Sequence, residues 1–162
     1  MGWEKIEPEY SKEISIMKRF IYPYKYSDIQ ANQTDEKARR LWISKLKEMK
    51  ALLEDVAKKQ KASQQEKTKR IIDDINFAME EMETLAYWKF PEDEQLLGKI
   101  IKADLVLLGN LDSLANAAKS LHSQTGTPEE KNFPAKFENF RKLLSSSRVI
   151  FLERAEIIKL KR

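Results

Sequence analysis

The chain contains no cysteine, and that absence removes disulfides, thiolate catalysis and every zinc site that needs sulfur. A reducing compartment is consistent with it. Histidine is nearly absent too. His122 stands alone beside a loop, with no second imidazole to share a metal, so it is read as a helix-end histidine and not as a ligand or general base. Bundle-core di-iron sites draw on Glu-x-x-His pairs from two helices, and one histidine cannot supply them. Glycine is scarce and scattered, at Gly2, Gly98, Gly109 and Gly126, which leaves no glycine-rich phosphate loop. No window approaches the roughly 18 to 20 consecutive apolar residues of a membrane span. The start, Met1-Gly2-Trp3-Glu4, lacks the basic-then-apolar pattern of a leader. A cytoplasmic protein with no cofactor, no metal, no small-molecule substrate and no membrane partner is expected.

What is abundant is charge. Charged residues make up 35% of the 162, whereas glycine and proline number only four and five, a balance that favours long solvated helices. No glycine or proline occurs from Tyr24 through Phe90. From Asp35, with Thr34 as expected N-cap, apolar residues recur at Ala38, Trp42, Leu46, Met49, Leu53 and Val56, the spacing of one helix face. The stripe fails through Lys58–Ala62, and Ser63 with Glu66 makes a capping-box pattern, so a reversal is expected near residues 60 to 63. One unbroken helix to Trp88 is the alternative. The stripe resumes at Ile71, Ile75, Ala78, Met82 and Leu85 and stops before Phe90-Pro91, where Pro91 is expected in the first turn of the next helix. That helix carries Leu97, Ile100, Ile101, Leu108, Leu111, Leu114, Ala115, Ala118 and Leu121. After a loop through Gly126 and Pro128, Pro134 opens a last helix with Phe137, Phe140, Leu144, Phe151, Ala155 and Ile158.

The pattern predicts an all-α fold: an antiparallel up-down bundle of four long helices, with a short helix within residues 8 to 20 and an extended aromatic segment. One domain is expected over 1–162, with 1–33 forming the N-terminal helix and strap and 34–162 the four-helix core.

Asp104 falls inside the apolar arc of the third long helix. A buried carboxylate needs a partner, and hairpin register points to Arg148, in a pair that fixes register, in preference to a proton-transfer role. Ser145, Ser146 and Ser147 are expected to let another helix approach. Carboxylates at Glu80, Glu81, Glu83 and 92–94 read as solvated faces or helix-start charges, since no EF-hand loop accompanies them.

Two features could carry binding. Phe20, Tyr22, Tyr24 and Tyr26 alternate around Pro23, which suits an extended segment with its rings on one side. With Lys18, Arg19 and Lys25 nearby this could stack bases, although strapping the N-terminus onto the bundle is the preferred reading. Trp42 and Trp88 are expected to pack. The second feature is the turn at 58–70, where Lys58, Lys59, Lys61, Lys67, Lys69 and Arg70 face Glu66 alone, while residues 71–99 set eight carboxylates against two lysines. Lys159, Lys161 and Arg162 are expected near the acidic turn, which leaves 58–70 as the better anion surface. The third helix also shows a weakly charged outer face, Lys99, Lys102, Val106, Asn110, Ser113, Asn116 and Ser120, that could meet protein unless the N-terminal helix covers it.

The expected function is a non-enzymatic accessory or structural subunit that binds RNA or DNA through phosphates, a protein partner, or both. The nucleic-acid surface would comprise the six basic residues of the turn with Tyr22, Tyr24, Lys25 and Tyr26. The alternative is a protein-binding helical adaptor or homo-oligomer.

Overall fold

A computed structural model describes residues 2–27, 30–85 and 87–160; the side chains of 87–89 and 159–160 are not described. Six helices account for most of it: α1 Gly2–Ile6, α2 Ser11–Lys18, α3 Gln30–Lys59, α4 Gln65–Thr84, α5 Glu94–Gln124 and α6 Phe133–Ile157. The only strands among the described residues are β1 Tyr87–Lys89 and β2 Lys159–Leu160, paired antiparallel. The fold is an all-α bundle. No helix among the described residues is long and apolar enough to cross a membrane.

Contacts divide the chain into two compact units. One comprises residues 1–41, 83–109 and 149–162, the other 42–82 and 110–148. The second unit is four-helical, and its core is what the apolar stripes prescribe. Leu46, Met49, Leu53 and Val56 of α3, Ile71, Ile75 and Met82 of α4, Leu111, Leu114 and Leu121 of α5, and Phe133, Phe137, Phe140 and Leu144 of α6 are all buried. Each series steps by three or four residues, which keeps one face inward at 3.6 residues per turn. Helix directions can be read from ion pairs. Asp74 meets Arg141 and Glu81 meets Arg148, both at a separation of 67 residues, so α4 and α6 run parallel. This is the up-down-up-down order.

The reversal between α3 and α4 falls where the stripe fails, but it is closed by other atoms than expected. A 3₁₀ turn, Ala62–Gln64, follows Lys61 with no side-chain cap, and Glu66 pairs with Arg70 instead of reaching back to Ser63. The amide of Gln65 donates to the carbonyls of Ala57 (2.7 Å) and Gln60 (3.1 Å), and the Thr68 hydroxyl donates to Gln60 Oε1 at 2.6 Å. Carbonyls at the end of α3, which have no intrahelical donor, are thereby satisfied. At the far end of α5, Gly126 takes φ +83°, the left-handed conformation that ends many helices, and Thr127 accepts from the Glu129 amide.

The first unit holds α1, α2, the strap at 20–27 and the adjoining parts of α3, α5 and α6. Trp3, Ile6, Ile14, Met17, Ile21, Tyr24 and Tyr26 form one buried cluster with Phe90, Leu97, Ile100, Ile101, Ala155 and Ile158. The N-terminus contributes two helices where one was expected. Helix α3 starts at Gln30, so Thr34 lies inside it, buried, and is not an N-cap. Its hydroxyl oxygen instead accepts from the Lys25 amide (3.1 Å) and can donate to the carbonyls of Lys25 (2.8 Å) and Gln30 (2.9 Å), stitching the strap to the helix. Pro91 precedes α5 and does not sit in its first turn; Asp93 is the cap, accepting from the Leu96 amide at 3.0 Å.

Candidate functional site

In the first unit the strap residues separate into two kinds. Tyr24 and Tyr26 are 1% and 3% exposed, packed edge to face against Trp3 and each other, with Tyr26 stacked on Phe90. Neither ring is on the surface, so neither can stack a base. The chain bends at residues 21–23, and the rings do not line one side: Phe20 and Tyr22 point outward, at 55% and 73% exposed. Lys25 is also exposed. The Tyr22 carbonyl accepts from Lys37.

Both buried phenols donate to Asp104 Oδ2, at 2.6 Å from Tyr24 and 2.5 Å from Tyr26. Asp104 Oδ1 accepts from Arg154 Nε at 2.7 Å, and the fully buried Arg154 also donates to Asp35 and to the Tyr26 oxygen. Asp35 has a second cation, Arg39, at 3.0 Å. Burial pushes both tyrosines well above the ordinary phenol value, and the charge of Asp104 adds to it. Burial also raises Asp35, against the opposing pull of Arg154.

Arg154, and not Arg148, is therefore the counter-ion of Asp104. At about 100° per residue, six positions leave the two arginines roughly 120° apart around α6. Arg148 faces α4, where it pairs with Glu81 at 3.1 Å. Sequence reasoning found the buried carboxylate but placed its partner one face and two turns away.

The second unit carries the basic turn. Lys58, Lys59, Lys61, Lys67, Lys69 and Arg70 are all exposed. Lys59 pairs with Asp55 at 3.2 Å and Arg70 with Glu66 at 2.9 Å. Lys58, Lys61, Lys67 and Lys69 have no ion-pair partner among the described residues. A hollow beside the turn is shared by Gln60, Ser63, Lys67, Lys131 and Phe133, so the loop after α5 adds a lysine to the same end of this unit. Lys67 also lines a larger groove of about 790 Å³ between α4 and α6, with Arg70, Asp74, Arg141, Lys142 and Arg148.

No family model, no curated protein and no solved structure matches this chain. Its function has to be argued from these surfaces.

The remaining candidates sort plainly. His122 receives a partner, Asp55, at 2.6 Å, and this hydrogen bond is the main reason the Asp55 carboxyl lies below its ordinary range. Ser147 is buried, donates to the Leu143 carbonyl and accepts from Asn110 Nδ2 at 3.1 Å. Asn110 thus faces α6 and is not part of an outer face. Lys99, Lys102, Val106, Ser113 and Asn116 are exposed, and near the start of α5 Tyr10 lies on Gly98 and beneath Lys102. Trp42 is buried as expected; the side chains of Trp88 and Lys159, and all of Lys161 and Arg162, lie outside what is described.

Proposed function

We propose that this chain is a non-enzymatic helical subunit that binds nucleic acid, without regard to sequence, through the α3–α4 turn. One observation carries the reading: six exposed cations converge on one turn, and Lys58, Lys61, Lys67 and Lys69 have no carboxylate partner among the described residues. An unpaired ammonium has no partner to give up on meeting a phosphate, whereas a paired one must first leave its carboxylate. Phosphate contacts release condensed counterions, so the binding is salt-dependent and sequence-tolerant. Lys131 extends the same surface. Tyr24 and Tyr26 drop out as stacking residues, because both are committed to Asp104 and the core, whereas Tyr22 and Lys25 stay exposed.

The test is titration of labelled RNA and DNA by the parent and by a Lys58→Glu, Lys61→Glu, Lys67→Glu, Lys69→Glu variant across a salt series. The variant is expected to keep its helical content and lose binding. A parent that binds neither nucleic acid in low salt refutes the reading.

A protein-binding adaptor is the second reading, and a separate observation favours it. Ile16, Phe20 and Tyr22 leave an apolar, aromatic knob exposed at the end of α2 and the start of the strap. Truncating Phe20 and Tyr22 to Ala would then abolish association with a protein partner and leave nucleic-acid binding unchanged.

A further inference from the structure

Beside the α4–α6 groove, in contact with its lining residue Arg148, stands an aromatic residue that the charge argument does not use. Phe77 is 54% exposed on α4, one helical turn beyond the groove-lining Asp74. The guanidinium carbon of Arg148, itself a groove residue, lies 4.5 Å from the ring centroid. Glu81 fixes that guanidinium by hydrogen bonds to its Nε and Nη2. One side of the ring is thus covered by a pinned cation, while half of its surface stays open to solvent. A core aromatic would be buried, whereas Phe77 keeps about half of its surface in solvent.

From this, and resting on the nucleic-acid reading above, we propose that the groove receives a single strand: its phosphates meet Lys67 and Lys142, and an unpaired base stacks on Phe77. Lys67 belongs both to the basic turn and to the groove, so the two surfaces are continuous. From Lys67 to Phe77 the helix advances roughly 15 Å, a short track for a strand. Carboxylates are present and set the route. Asp74 is neutralised by Arg141, and Glu138 by Lys142, in exposed pairs that yield readily to a phosphate. Asp73 and Glu80 flank Phe77 on the solvent face of α4 and are exposed. Repulsion from them keeps the backbone over α6, beside Lys142 and Ser145, with the base reaching across to the ring. A duplex cannot use the platform, since its bases are already stacked; an extended strand has a free π-face at every nucleotide.

The experiment compares oligo(dT) with a duplex of the same length, each titrated by fluorescence anisotropy into the full chain. The parent is expected to favour oligo(dT). Phe77→Ala should weaken oligo(dT) binding roughly tenfold, in line with the contribution of one stacked base, and leave duplex binding unchanged. Phe77→Tyr, which keeps the ring, should retain parental affinity, and matched circular dichroism spectra exclude misfolding as the cause. If Phe77→Ala binds oligo(dT) as the parent does, the groove proposal is wrong while the basic-turn reading stands. If the parent binds neither probe, both fall.

Discussion

Replacing Arg154 by Met is the sharpest single test of how the first unit is held together. Arg154 is fully buried and its guanidinium contacts Asp104, Asp35 and Tyr26. Removing it leaves two carboxylates inside the protein. Asp35 keeps Arg39, and Asp104 keeps only its two phenol donors. Breaking a buried pair by deleting one partner costs about 3–5 kcal/mol, a large part of the 5–15 kcal/mol typical of a folded domain. Arg148→Met is the control, because it removes a partly buried pair with Glu81 and a contact with Phe77 and should cost clearly less than Arg154→Met. Urea unfolding followed by far-ultraviolet circular dichroism measures both. A double-mutant cycle between Arg154→Met and Asp104→Asn should show coupling above about 1 kcal/mol, since the residues touch. Equal, small losses for the two arginines, or additivity in the cycle, would show that the network is not what orders this unit.

Three further outcomes follow from the same geometry. Tyr24 and Tyr26 are raised well above 10.0, so below that pH both states carry neutral phenols and the network contributes fully; above it the unfolded chain ionises first and stability falls. A Tyr24→Phe, Tyr26→Phe variant should lose this alkaline sensitivity, seen as unfolding midpoints measured against pH, and an unchanged pH profile would count against the assignment. Gly126→Ala forces a side chain into φ +83° and should destabilise by about 1 kcal/mol, whereas Gly109→Ala, with open space around it in a helix, should be neutral or stabilising. If four turn lysines contact single-stranded phosphates, the slope of log K against log salt should be about −3, and the four-lysine reversal should remove it; a flat salt dependence would exclude phosphate contacts.

Much of the fold was legible in the residue order. The stripes of α3 to α6 were read correctly at core positions such as Leu53, Ile75, Leu114 and Phe140, although Leu107 and not Leu108 is the buried leucine of its pair, and the breakers Gly126, Pro91 and Pro134 lie at or near helix junctions. The reversal at 60–63 was legible for the same reason: a helix cannot bury a face that has stopped being apolar. Misreadings occurred where a side chain chooses among neighbours from other elements. Thr34 resembled an N-cap, yet it sits beside the strap backbone and bonds there. The strap alternates in a manner suited to a strand, yet of its aromatic residues only Tyr24 and Tyr26 turn inward, because Asp104 and the Trp3 cluster await them. Phe77 went unnoticed as a candidate because its neighbours in sequence are acidic. Arg148, the cation over its ring, lies on another helix.

By itself, then, the sequence determined the class of fold, the faces that are buried and the local density of charge, because periodicity and charge are properties of neighbours along a chain. Only the tertiary structure decided which cation meets which carboxylate, which tyrosines are lost to the core and which lysines remain unpaired. Those choices depend on register between helices, where a shift of a few residues turns a side chain such as Arg148 or Arg154 from one partner to another.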